Sequence, residues 1–251
     1  MAGGCAPLLR RGGAAGILGR AAAALEPGEA LSALSLGGGA GAAPGHPRAV
    51  EDVIGPDILV FHTTLWWKPA QSEGFVPWHQ DATYFGLAPH EHVTAWLALT
   101  PSTEESGCVT VLPGSHRHGQ LPHSDRKDPR VMLSRGQTVA LAPEAAQAVP
   151  IPLAPGEFSL HDTLALHASA PNRAGHDRIG LGISYIPTRV RHVGTTRLSA
   201  TLVRGEDRHG HFDLEPAPRA EADAAARAAH ADSLDRFWRA SESIPEMSLA
   251  H

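Results

Sequence analysis

The chain alternates short runs of β-branched, aromatic and aliphatic residues with breaks rich in glycine and proline, which predicts many strands and few helices. ILVFHTTLWW, from Ile58 to Trp67, reads as one long strand or two joined ones, and VTAWLAL, from Val93 to Leu99, as another. Cys108 to Leu112 gives a third, stopped by Pro113-Gly114, and Gln137 to Leu141 a fourth. After Pro155, GEFSLHDTLALHAS supplies two short strands, and Ile179 to Ile186 supplies the last clear one. Helix is predicted twice. Ala49 to Ile54 forms a short one that ends at Gly55-Pro56, where continuation is unfavourable, and the Ala-rich, charged stretch from Ala220 to Ala240 follows Pro218. Short strands between turn residues, without strand–helix alternation, imply a mainly β sandwich or jelly roll and not βαβ units.

Composition divides the chain. Residues 1–50 hold 14 Ala and 12 Gly, so they offer little side-chain surface to pack; segment 1–46 is expected to be poorly packed or partly disordered, ahead of one domain over 47–251. A length of 251 residues with 42% hydrophobic content suits a single large β domain. The net charge of -5, without a long basic run, argues against nucleic acid or an anionic membrane as partner and favours a small molecule, handled by a monomer or homodimer. Cys5 and Cys108 stand far apart, which suggests neither a disulfide framework nor a thiolate zinc site and fits a reducing, cytoplasmic setting. Arg10, Arg11 and Arg20 superficially suggest a targeting segment, but Gly and Arg interrupt every apolar stretch there, so no signal or membrane span is expected.

Candidate chemistry begins at Trp78-His79-Gln80-Asp81. On a strand, residues i and i+2 project to one face, so His79 and Asp81 can approach one metal ion. They need a third ligand from a distant strand to complete the two-His-one-carboxylate set of non-haem iron oxygenases. The segment Leu166 to Asn172 offers His167, with Ser169 in the same register and Arg178 eleven residues beyond His167. A guanidinium holds a carboxylate through two parallel hydrogen bonds, which suits the far end of 2-oxoglutarate. His161 lacks the Ser and Arg at those spacings and reads as structural or as a partner of a ligand. His116, His118 and His123 form the rival cluster, but GSHRHG reads as a polar loop with no carboxylate at ligand spacing.

In combination, WHQDATYFG, AWLALTPSTEESGCVTVLPGSHRHG, PGEFSLHDTLALHASAPN and Arg178 resemble the phytanoyl-CoA dioxygenase family over about Ile58 to Pro187. The resemblance implies a double-stranded β-helix, a cupin-like jelly roll with flanking α-helices, and an Fe(II)- and 2-oxoglutarate-dependent dioxygenase that uses O2. It implies His79, Asp81 and His167 as iron ligands, and Thr64, Trp96, Ser169 and Arg178 as cosubstrate-pocket residues. Such an enzyme hydroxylates or desaturates a small organic molecule and releases succinate and CO2. Related halogenases carry Ala or Gly at the carboxylate position; Asp81 therefore favours hydroxylation. A catalytically silent β-helix binding module and a cupin-type metalloenzyme that uses no keto acid are the alternatives. Substrate contacts are expected from variable loops: Thr83 to Phe85, Gly119 to Arg135, and the region after Arg189 with Arg191, His192 and Arg204.

Overall fold

The computed structural model describes residues 46–139, 147–216 and 224–243. Segment 1–45 lies outside the described residues, as do the ends of two predicted elements, 140–141 and 220–223. In chain order the helices are α1 (His46–Ile54), α2 (Ala82–Phe85) and α3 (Ala224–Ser243). The main strands are β1 (Ile58–Lys68), β2 (Val76–His79), β3 (Leu87–Ala88), β4 (Val93–Ala98) and β5 (Val109–Val111). They continue as β6 (His123–Asp125), β7 (Gln137–Val139), β8 (Val149–Ile151), β9 (Phe158–Asp162), β10 (His167–Ser169) and β11 (Arg178–Pro187). The short β12 (Arg191–His192), β13 (Ser199–Arg204) and β14 (Asp213–Leu214) precede α3. Every strand predicted from the sequence is present, and the fold is the expected mainly β jelly roll.

Two sheets carry the architecture, a six-stranded one in the order β14-β13-β1-β11-β4-β9 and a four-stranded one in the order β2-β10-β5-β8. The pattern of hydrophobic runs did not reveal β2 or β8, because Pro77 and Pro150 sit inside them. Proline cannot donate to a ladder on both sides, yet both strands lie at the edges of the small sheet, where the missing donor costs least.

The large sheet has two unlike faces. Its outer face is apolar: Val93, Ala95, Leu97, Leu181, Ile183 and Tyr185 pack with Ala49, Val50 and Ile54 of α1. Fully buried aliphatics such as Leu97 and Ile183 each contribute about 1.5–3 kcal/mol by leaving water. The inner face mixes polar side chains and glycines with two tryptophans. Register pairs Thr64 with Gly182 and Trp96, and Trp66 with Gly180 and Ala98, while Lys68 faces Arg178. Further along, Ser184 pairs Thr94, which pairs His161 of β9. Because opposed residues share a face, these side chains line the space between the sheets.

A bulge in β1 between Val60 and His62 inserts one residue and exchanges the parity of the strand. Leu59 before it and Phe61, the inserted residue, join the second core cluster, with Phe85, Ile186, Phe212 and Phe237, while His62 after it points the same way. Phe237 of α3 stacks on His62 with ring centroids 4.4 Å apart. The interior thus runs from an aromatic end, closed by α3, to a cationic end at Lys68 and Arg178. Among the described residues, no helix is long and apolar enough to cross a membrane.

Candidate metal centre

His79 closes β2 and pairs directly with His167 of β10, which brings the two imidazoles side by side with centroids 4.1 Å apart. Asp81 reaches them differently from the sequence expectation. The strand stops at His79, and Asp81 has a helical backbone (φ -61, ψ -34) at the start of α2. Continued extension would carry the carboxylate onward by about 3.3 Å per residue, whereas the turn brings it back beside the histidines. Gln80, fully buried, holds that turn: its amide donates to the Gly119 and Leu164 carbonyls and accepts from the Leu121 N–H. Sequence reasoning passed over Gln80 because its role depends on three remote backbone groups.

One ligand atom each from His79, Asp81 and His167 lies within 4.8 Å of the others. Both histidines place Nδ1 2.9 Å from a backbone carbonyl, of Pro77 and of Ala165. A carbonyl only accepts, so Nδ1 carries a proton on each ring, and Nε2 is the nitrogen left to offer a lone pair to a metal. Those lone pairs face Asp81 Oδ1 at 3.5 and 3.6 Å. Three electron-pair donors converging without a proton between them repel one another, and a cation at their centre reverses that sign. The donor set fits a metal ion of the kind bound by two imidazoles and a carboxylate. Burial, reinforced by His79 and His161, holds the His167 imidazole well below its ordinary pKa, so it is available as a neutral ligand. Burial opposes ionisation of Asp81, but the charge of a protonated His167 and hydrogen bonds from His161 and His79 outweigh it and hold the carboxyl well below the usual range, a stabilisation that a cation would supply in their place when the rings are neutral.

The other carboxylate oxygen is also held. Asp81 Oδ2 accepts the Thr94 hydroxyl at 2.7 Å and lies 3.6 Å from His161 Nε2. His161 is therefore a neighbour of Asp81, outside the converging trio, which agrees with its reading as a partner of a ligand. His116 and His118 are exposed on a 3-10 turn. His123 instead hydrogen-bonds Gln80 N and Thr83, so the rival cluster does not converge.

At the cationic end, Arg178 is 2% exposed and its guanidinium lies 4.8 Å from the Trp96 ring centroid. Its Nη2 donates to Ser169 Oγ and to the Gly107 carbonyl, both at 2.6 Å, and Nε has no partner. Ser169, two residues after His167 on β10, donates in turn to Gly107. Gly107 has φ +69, and a Cβ there would meet the Ala170 carbonyl at 2.0 Å, so glycine is what lets this loop reach β10. Thr64 is half-buried, in one row with Gly182 and Trp96. The structure thus brings Trp96, Ser169 and Arg178 into contact and sets Thr64 beside them.

A Cβ on Gly180 would lie 2.1 Å from the Trp96 ring, so the ring's place under Arg178 depends on that glycine. Gly180→Ala is expected to displace Trp96 and destabilise the protein by about 1–3 kcal/mol, the usual cost of overpacking, read as a lowered melting temperature.

The loop candidates divide. Thr83 bonds His123 and Gln120, Tyr84 bonds Ser134, and Phe85 joins the aromatic end, all adjoining Asp81. Arg204 pairs Glu51 of α1 at 2.6 Å.

Residues 36–180 match the model of the phytanoyl-CoA dioxygenase (PhyH) family. The chain belongs to the phytanoyl-CoA dioxygenase family. Among its relatives, the probable phytanoyl-CoA dioxygenase of Caenorhabditis elegans is 27% identical over 149 residues, 57% of this chain and 48% of that protein. The 1-deoxypentalenic acid 11-beta-hydroxylase of Streptomyces arenae is 30% identical over 167 residues, 61% of this chain and 56% of that one. The chain spans about half the length, or less, of the first curated relatives it matches. Among solved structures, apo ThoJ, a non-heme monooxygenase, is 35% identical with a TM-score of 0.71, covering 80% of this chain and 73% of its own. CytC3 with Fe(II) and alpha-ketoglutarate is 26% identical with a TM-score of 0.51, covering 68% and 66%. This phytanoyl-CoA dioxygenase family member therefore shares the jelly roll, and its paired histidines and carboxylate lie within the matched span.

Proposed function

We propose that the chain is an Fe(II)- and 2-oxoglutarate-dependent dioxygenase that hydroxylates or desaturates a small organic molecule. The observation that carries this is the joint placement on β10: His167 joins the converging trio while Ser169, on the same strand, joins the buried cation Arg178. His79, Asp81 and His167 would hold the metal, and Arg178, stacked on Trp96, would hold the far carboxylate of 2-oxoglutarate, beside Ser169 and Thr64. When bound, Fe(II) supplies oxidation by O2: one oxygen atom enters the substrate on hydroxylation, the other enters succinate, and 2-oxoglutarate loses CO2. The protein's part is to orient the two reactants and keep competing groups away. The CytC3 complex with Fe(II) and alpha-ketoglutarate, and the relative named as a hydroxylase, support the reading. We also assign the protein to a reducing cytoplasm, since Cys108 is buried and free, and take its working form to be a monomer or homodimer.

The test is succinate release from 2-oxoglutarate by the Fe(II)-loaded protein; neither a silent module nor a keto-acid-independent cupin yields it. Arg178→Lys keeps the charge but loses the planar fork. It is expected to weaken 2-oxoglutarate binding by about 1.5–3 kcal/mol, the worth of one charged hydrogen bond, and to leave metal affinity nearly unchanged. An unchanged Michaelis constant for 2-oxoglutarate would move the cosubstrate site elsewhere.

A further inference from the structure

Lys68 ends β1 opposite Arg178, one residue beyond the strand read from the sequence. It is 1% exposed. Its ammonium donates to Ser169 Oγ at 2.5 Å, to the Ser169 carbonyl at 3.1 Å and to the Ala170 carbonyl. Arg178 Nη2 donates to the same hydroxyl, so one serine oxygen receives both cations and passes its own proton to Gly107. Among the described residues, no carboxylate forms an ion pair with either cation. A buried side chain that served only to satisfy carbonyls would cost less as a neutral donor, because buried like charges repel and both lose water. The arrangement is complete in its donors and incomplete in its charge.

We infer that Lys68 is a positioning residue of the cosubstrate subsite: it fixes Ser169, and through it Arg178, and adds the second positive charge that selects a 2-oxo acid with a far carboxylate. The inference rests on the functional reading above and extends it to a residue which that reading did not need. Burial, and then repulsion from Arg178, lowers Lys68 to about 6, and burial lowers Arg178 to about 10, so the far carboxylate of an arriving ligand favours the charged form of Lys68 and restores the second positive charge as it binds. The fork of Arg178 keeps its unpartnered Nε for that anion, while Lys68 spends its donors on holding the serine in place.

The experiment titrates anaerobic Fe(II)-loaded protein with 2-oxoglutarate and, separately, with 2-oxopentanoate, which has the same carbon chain but ends in a methyl group. Lys68→Met and Lys68→Gln are expected to weaken 2-oxoglutarate binding by about tenfold or more and leave 2-oxopentanoate and metal binding within about twofold. Lys68→Arg is expected to recover most of the selectivity. Lys68→Gln retains an amide donor for the β10 carbonyls, so it carries the test if Lys68→Met does not fold. Neutral variants that melt lower but keep the wild-type ratio between the two acids would overturn the inference and make Lys68 purely structural. Wild-type protein that binds no 2-oxoglutarate would instead sink the functional reading itself.

Discussion

Replacing His167 by Ala is expected to abolish stoichiometric metal binding and, with it, turnover of 2-oxoglutarate. His167 is the hub of the small sheet. It pairs with His79 on one side and Val111 on the other, and its Nε2 faces Asp81 Oδ1. Its loss removes one of three donors and leaves His79 and Asp81 without the geometry that made a cation favourable between them. Removing an outer partner of a ligand costs metal affinity about 10–100-fold, so removing the ligand itself is expected to cost at least about 100-fold. His161→Ala is the control, since His161 contacts the other oxygen of Asp81 and lies outside the converging trio. It is expected to retain metal at equal stoichiometry with affinity lowered by tenfold or so. Calorimetric titration with Fe(II) or Co(II) reads both. Full metal binding by His167→Ala, with loss in His161→Ala, would reverse the ligand assignment.

Asp81→Gly carries the second large effect. On the proposed reading the carboxylate would occupy a coordination position that a chloride ion would otherwise need, and its negative charge would disfavour a second anion there. The native protein is therefore expected to give oxygenated and no halogenated product even in high chloride. On the proposed reading the glycine variant loses a ligand; it also removes the 2.7 Å acceptor of the buried Thr94 hydroxyl, leaving it only the 3.2 Å contact with His92, and the shared neighbour of His79, His161 and His167. The expected outcome is loss of metal and of nearly all turnover, measured by metal titration and by succinate release with and without chloride. Chloride-dependent turnover by Asp81→Gly would show that the rest of the pocket tolerates a halide. A chlorinated product from the native protein would overturn the hydroxylase reading.

The candidate site was legible in the sequence where a few residues stand at short, regular spacing. His79 and Asp81 two apart, and His167 with Ser169, were singled out because local periodicity puts such residues near one face, whereas Arg178, on another strand, was singled out by its chemistry and by the resemblance to the family. The same periodicity misled at Asp81, since it assumed a strand that the buried Gln80 ends. Lys68 carried no local signal: at the end of an apolar strand it reads as a solubilising charge, and only pairing with β11 shows it buried beside Arg178. Arg204, offered as a substrate contact, belongs to an ion pair with α1 because β13 adds to the edge of β1.

By itself the sequence determined the element types and the inventory of donors: strand propensity, turn residues and the identities of two imidazoles, a carboxylate and a guanidinium. Tertiary structure decided which donors meet. The bulge after Val60 sets which side chains of β1 face inward, and the β2–β10 register sets His79 against His167. A one-residue slip in either would turn those side chains to the opposite face without changing any local propensity. Register is a property of paired strands remote in sequence, stabilised by the apolar packing against α1 and the aromatic cluster under α3, so no window along the chain contains it.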